Sequence, residues 1–276
     1  MLRGLVGKAL AKICPVCQSD TPETMKLTLI SITKDDPEGI RRTLDSTEPL
    51  RVLPGVEQII VDSTPDPVAQ KNLETEVKGR SQCRLFWMKP SGISAAFNKG
   101  VELAQGEWVW FINGGDEFNT ACSPQLVLDY LDEARCDLIV GEMVDVDAKS
   151  GVVLKTSARP AFHLLWPPLI NWIPHPSTLI KKEWLLGMGG FRDKYRVSMD
   201  LDLWMRAIAS RARFDLVSLP LSRFFSGAGV SSHKKSESRE LVRLCMEQSP
   251  VWFGFWLRVG AGLAWNFLRL VKRSVF

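Results

Sequence analysis

From residue 25 onward the chain alternates continuous apolar runs with stretches whose apolar positions recur at helical spacing. MKLTLISIT, residues 25–33, reads as a buried strand, and residues 37–47, opened by Pro37, read as a helix. VEQIIVDST, residues 56–64, is a second strand closed by Asp62, Ser63 and Thr64. The pattern then predicts a helix over 67–79, a short strand over 83–88, and a helix over 93–105 that ends before Gly106. GEWVWFINGG, residues 106–115, is the next strand. Its run from Trp108 to Ile112 is apolar at every position, as a strand covered by helices on both faces requires. This alternation predicts an α/β fold with a mostly parallel, doubly wound sheet.

In open sheets of this kind ligands sit beyond the carboxyl ends of the strands. Three polar clusters end strands here: Thr33-Lys34-Asp35, Asp62-Ser63-Thr64 and Asn113-Gly114-Gly115-Asp116. All three are expected to face one crevice. Gly114 and Gly115 let the backbone approach a bulky ligand or take a positive φ, and Asp116 sets a carboxylate at the crevice mouth. For each cluster taken alone, a plain polar turn with an Asp helix cap is the competing reading.

Three further stretches carry candidate chemistry. In SMDLDLWMRA, residues 198–207, Asp200 and Asp202 alternate with Leu201 and Leu203 at a helix start. Acids there are also favoured by the helix dipole alone. His175 stands between Pro174 and Pro176, with Trp166 and Trp172 nearby as aromatic platforms. An apolar lid around a hydrogen-bonded histidine is the alternative. FFSGAGVSSH, residues 224–233, offers backbone N–H groups and hydroxyls suited to a diphosphate, against the reading of a generic turn. His233 is a candidate metal or phosphate contact.

The succession ISITKDD, IIVDSTPD, KPSGISAAFNKGVELAQGEWVWFINGGDEF, PHPSTLIKKEWLLGMGGFRDKYRVSMDLDLWMRA and FFSGAGVSS resembles family 2 glycosyltransferases of the GT-A fold, the group that builds bacterial surface polysaccharides. The resemblance covers about residues 26 to 235. It implies a GT-A sheet flanked by helices, with Thr33, Asp62, Gly92, Asn98, Asn113 and Asp116 binding the donor nucleotide. Residues 113–116 would occupy the place of the DxD motif, where carboxylates hold Mg²⁺ or Mn²⁺ on the donor diphosphate. The sequence departs from that pattern. Asn113 and Gly115 replace usual acids, which leaves Asp116 as the acid of the motif and its candidate metal ligand. Pro90 and Ala95 also stand where acids are common, while Gly92, Asn98, Lys99 and Gly100 match. Asp200 aligns with the general base of an inverting transfer. His175, Asp202, Ser226, Gly229 and Ser231 fall on the acceptor and diphosphate side, and Asp202 also reads as a cap or brace of its helix.

Composition adds bounds. With 276 residues, 45% of them hydrophobic and 24% charged, the chain can bury a full core. A net charge of +4 gives no electrostatic footprint for nucleic acid, but the two ends are basic. Residues 1–13 carry Arg3, Lys8 and Lys12 without an acid, and 251–276 carry Arg258, Arg269, Lys272 and Arg273 without one. In the latter, Arg258, Arg269 and Lys272 share one helical face, and Trp252, Phe253, Phe255, Trp256 and Phe267 spread over the rest. That is the pattern of a helix lying in a membrane interface, with a core or dimer helix as the alternative. The expected organisation is an extension over 1–24, a glycosyltransferase domain over 25–235, and an amphipathic, membrane-associating helical segment over 236–276.

The six cysteines show no disulfide framework, and the Cys14-Pro-Val-Cys17 pair has no second pair at zinc-ribbon distance. The expectation is therefore a cytoplasmic enzyme, peripheral on the inner face of the membrane. It would take a nucleotide-diphospho-sugar donor and a saccharide or lipid-linked acceptor, with a divalent cation and no nucleic acid. Two other readings stay open: a non-catalytic nucleotide-sugar-binding or scaffolding protein with a degenerate DxD motif, and a nucleotidyltransferase on a similar sheet.

Overall fold

The computed structural model describes residues 25–157 and 173–226, together with 240, 243, 244, 247, 260, 262 and 265. The calls made above for residues 1–24, Trp166, Trp172, Gly229, Ser231, His233 and most of 236–276 lie outside the described residues.

The sheet is built on β1 (Leu27–Thr33), which pairs in parallel with β2 (Val56–Asp62) on one edge and β4 (Trp108–Phe111) on the other. β3 (Cys83–Trp87) extends it in parallel beyond β2. Because β1 is paired on both edges and covered on both faces, it is buried along nearly its whole length, the polar Thr28 and Ser31 included. The crossovers are α1 (Pro37–Arg51), α2 (Pro67–Lys78) and α3 (Ile93–Leu103). α3 lays Phe97 and Val101 on Ile30, Ile59, Val61 and Phe111, while Ile40 and Leu44 of α1 cover Ile60 from the opposite face.

The second half of the sheet mixes directions. It holds β5 (Glu117–Phe118), β6 (Leu138–Asp147), β7 (Val153–Thr156), β8 (Thr178–Lys181) and β9 (Phe214–Ser226). The order is β3-β2-β1-β4-β8-β6-β9-β5, with β7 added on β6. β8 runs antiparallel between β4 and β6, and β9 runs parallel to β6. α4 (Pro124–Glu133) covers Trp108 and Trp110 with Val127, Leu128 and Leu131. Val109 and Phe111, pointing the other way, meet α3 and α6 (Met199–Ala209). The alternate residues of the WVWF run therefore enter two different cores. A short helix, α5 (Lys182–Gly187), follows β8.

Element ends differ from the sequence reading by up to four residues, as at the end of β4, which stops at Phe111, and at the end of α1. That helix passes Pro49 and runs to Arg51 instead of stopping at 47, because Leu50 and Arg51 have buried places to fill. The Arg51 guanidinium donates to Leu44 O at 2.7 Å, to Ser81 O at 3.2 Å and to the Cys83 sulfur at 2.8 Å. These contacts outweigh the one helix hydrogen bond that the proline forfeits.

Two buried features hold the far side of the molecule in place. Asp202, fully buried on α6, accepts from Arg206 Nε at 2.8 Å and from Arg192 at 3.3 Å. Arg206 also donates to Met188 O and Gly190 O, both at 2.7 Å, so it ties α6 to the loop that follows α5. Nearby, the His175 ring, in a 3-10 turn over His175–Ser177, sits among Phe97, Phe111, Phe191 and Trp204 with centroids 5.0 to 6.1 Å away.

Removing one member of a buried pair leaves the other charge uncompensated. Asp202→Ala is therefore expected to cost about 3–5 kcal/mol, read from the urea midpoint, and a loss below about 1 kcal/mol would contradict the pairing. The His175 test is one of pH. Burial holds its imidazole down at about 4, against an ordinary 6.5. The folded state thus binds the proton less readily than the unfolded one. The stabilisation is complete above pH 6.5 and drains away as pH falls through about 4, by about 3 kcal/mol in total. His175→Phe should flatten that acid limb in thermal melts, and an unchanged slope would show that another group sets it.

Candidate functional site

The carboxyl ends of β1, β2 and β4 come together as expected. Thr33 and Asp62 are register partners, and Gly114 continues the ladder by donating to Ile32 O at 3.0 Å. The loop after β1 is tied to the loop after β2: Asp35, held at φ 55°, donates its N–H to Thr64 Oγ1 at 2.8 Å. Thr64 N in turn donates to Asp62 Oδ1 at 3.0 Å. Asp62 is almost wholly buried, and the Thr33 hydroxyl is buried with no protein partner. A buried hydroxyl left without a partner costs free energy, so it marks a place where a ligand atom would be accommodated.

The loop 113–116 is shaped from beneath by one side chain. Thr43 Oγ1, buried on α1, lies 2.9 Å from Asn113 O and 2.7 Å from Asp116 O, and it accepts from Gly115 N at 3.1 Å. Asp116 N closes the turn onto Asn113 O at 2.9 Å. Gly115 supplies the φ of 99° that this turn needs, a value costly for a residue with a Cβ. Asn113 Oδ1 is buried without a partner. Burial, aided by the charge of Glu117, lifts the Asp116 carboxyl to about 7.

These two residues give a cation one carboxylate and one amide oxygen, a set that fits Mg²⁺ or Mn²⁺ only with the diphosphate and water as its other ligands. Among the described residues no group of three His, Cys, Asp or Glu side chains is placed to hold a metal.

The other predicted site residues fall into a second group. Gly92, at φ 102°, precedes α3 and is exposed. Asn98 is clasped to the backbone of Phe191, donating to its O and accepting from its N, both at 2.8 Å. Gly190 makes that approach possible, since a Cβ there would stand 2.5 Å from Asn98 Oδ1. Lys99 pairs with Glu102 at 2.9 Å and lies over the Phe86 ring. Asp200 is the second residue of α6, half-buried, with Oδ1 accepting from Leu201 N at 2.7 Å. It stands one helical turn ahead of Trp204, the residue that touches His175, and Phe111 at the end of β4 touches His175 in turn. The Asp202 carboxylate goes to the two arginines described above. Ser226 ends β9 beside Asp147, with its hydroxyl 3.5 Å from Val146 O.

Two residues of the site had no role in the sequence reading. Thr43 could have been found from its spacing, because Gly39, Thr43 and Thr47 repeat at four residues on a buried helix face. Trp87, the register partner of Asp62 and 47% exposed, donates its indole N–H to Thr64 O at 2.9 Å. Its signal was an aromatic residue at a predicted strand end.

The arrangement matches known proteins at two levels. Residues 28–192 match the family model described as glycosyl transferase family 2. No curated protein sequence matches the chain. Among solved structures, S. aureus TarS is similar with a TM-score of 0.61 and 20% identity, over 81% of this chain and 39% of that one. Its 1–349 fragment in complex with UDP-GlcNAc gives a TM-score of 0.63 at 18% identity, over 87% of this chain and 72% of that one. The same fragment with UDP gives 0.60 at 15% identity, over 87% and 71%. The chain thus spans about two fifths of full-length TarS, and the likeness is one of fold. The family match, which takes in β1 to α3 and the Asn113–Asp116 loop, makes the chain a member of glycosyl transferase family 2.

Proposed function

We propose that this chain transfers a sugar, with inversion, from a nucleotide-diphospho-sugar to a saccharide or lipid-linked acceptor in the synthesis of a surface polysaccharide. The observation that carries the reading is the convergence of Thr33, Asp62 and the Asn113–Asp116 loop at the carboxyl ends of β1, β2 and β4. Two buried oxygens there, Thr33 Oγ1 and Asn113 Oδ1, have no protein partner. Family membership and the UDP and UDP-GlcNAc in the TarS structures support a nucleotide-sugar as the occupant.

In this reading Asp62 and Thr33 hold the base and ribose, with Gly92 opening the approach beside α3. A divalent cation held by Asp116 and Asn113 would neutralise charge on the leaving diphosphate. Asp200 takes the proton from the acceptor hydroxyl as that oxygen bonds to the anomeric carbon. The bond from that carbon to the diphosphate oxygen breaks on the opposite face, and the nucleoside diphosphate leaves with the electron pair. His175 and Ser226 would lie on the acceptor side.

Attachment to the inner face of the membrane rests on the amphipathic sequence of 251–276. No helix among the described residues is long and apolar enough to cross a membrane.

Two measurements test the assignment. UDP, GDP and dTDP sugars are screened by thermal shift with and without Mn²⁺, and UDP-GlcNAc is the first probe. For the nucleotide that binds, Asp62→Ala should weaken the affinity by roughly 1–3 kcal/mol, and an unchanged affinity would remove Asp62 from the donor site. Asp200→Asn keeps size but not basicity, so turnover should fall by about 10² or more with donor affinity kept. Normal turnover in that variant would place the base elsewhere. Donor binding with no turnover by the native chain would favour the non-catalytic reading.

A further inference from the structure

The base proposed above depends on where α6 begins, and its start lacks a cap of its own. Ser198 stands at the N-cap position, yet its side chain makes no capping hydrogen bond. The turn before it is held from elsewhere. Glu240 Oε1 accepts from Arg196 N, and its Oε2 accepts from Val197 N and Ser198 N, all at 2.9 Å.

Glu240 does not act alone. Glu247 accepts from Tyr195 Oη at 2.8 Å and from Arg243 Nε at 2.9 Å, and it pairs with Lys194. Leu244, between them, is fully buried in the same core cluster as Trp204. Positions 240, 244 and 247 recur at the spacing of one helix face. Three anchors on that face therefore grip residues 194–198 and the core beneath α6, and the last residue gripped precedes Asp200 by two.

We propose that Glu240 is a positioning residue for the reaction: by fixing the turn 196–198 it sets the place of the Asp200 carboxylate. The inference rests on the assignment of Asp200 as the base. Its physical ground is that the three backbone N–H groups held by Glu240 end at Ser198, two residues ahead of Asp200, so the first turn of α6 starts from a fixed backbone. A displacement of about 1 Å at a reacting group costs on the order of 10²-fold in rate. Glu240 thereby acts on the reaction through the backbone of 196–198.

The test uses the full chain, with UDP-GlcNAc and Mn²⁺ as probe and release of UDP as readout. Glu240→Gln keeps the shape, but its amide nitrogen faces N–H groups that need an oxygen. Turnover at saturating donor should fall about tenfold or more, while the Kd for UDP changes by less than about twofold. Glu240→Asp, which keeps the charge, should recover part of the loss. Glu247→Gln, on the same segment but without contact to 196–198, should lower the melting temperature and leave turnover unchanged. Amide hydrogen exchange over 199–204 should quicken about tenfold in Glu240→Gln and stay as it was in Glu247→Gln.

Native turnover in Glu240→Gln beside an inactive Asp200→Asn overturns this inference alone. Equal losses of turnover in the Glu240 and Glu247 variants, tracking melting temperature, also overturn it, because Glu240 is then only an anchor. An active Asp200→Asn removes the base assignment and this inference with it. If the native chain releases no UDP from the probe, unchanged exchange over 199–204 in Glu240→Gln overturns the proposal.

Discussion

The α6 side of this molecule hangs on one buried guanidinium. Arg206 is taken out of water in the last turn of α6, and burial pulls its pKa below the usual arginine value even with Asp202 opposing the shift. Such a group is tolerated only when its donors are used, and here they go to Asp202, Met188 O and Gly190 O. The consequence runs outward through the backbone. With Gly190 O fixed, Phe191 is presented to Asn98, and through that clasp α3 is locked to the loop ahead of α6. A buried ion pair adds little stability compared with an apolar replacement of the same shape. It does fix the relative placement of two helices and a loop.

The two halves of the site are therefore made by different physics. The half at the strand ends is set by parallel pairing, since β1 in register with β2 and β4 brings Thr33, Asp62 and Gly114 to one level. Hydroxyls then pin the loops, with Thr43 under 113–116 and Thr64 between the ends of β1 and β2. The half around α6 has no such ladder. Asn98, Arg206 and Glu240 each hold backbone groups with side-chain atoms, and each bond joins residues far apart in the chain.

That difference explains how much could be read in advance. β1, β2 and β4 were legible because strands buried on both faces are rich in apolar residues, and the crossovers between such strands have helical periodicity. The clusters after Thr33, Asp62 and Ile112 followed from the topology. β5 and β7 were not legible, being two and four residues long and without a run of their own. The reach of α1 past Pro49 depended on where the Arg51 guanidinium finds acceptors, including Ser81 O across the sheet edge. Asp200 and Asp202 look alike in SMDLDLWMRA, and only the packing separates a fully buried acid paired to arginines from a half-buried one at the helix start. Glu240 lies 40 residues beyond Asp200 in sequence, where no periodic signal connects the two.

The backbone at Gly115 bears on how this site could change. Its φ of 99° lies in a region that L side chains enter only at a cost, about 1–3 kcal/mol for a residue held there. Thr43 keeps that turn in place from below, through the Gly115 N–H and the carbonyls on either side. An acid introduced at position 115 would therefore begin in strain, and relieving the strain would mean remaking the contact between α1 and the loop. The missing acid at position 115 is thus written into the main chain as well as the side chain, and a substitution there meets that strain unless Thr43 changes with it.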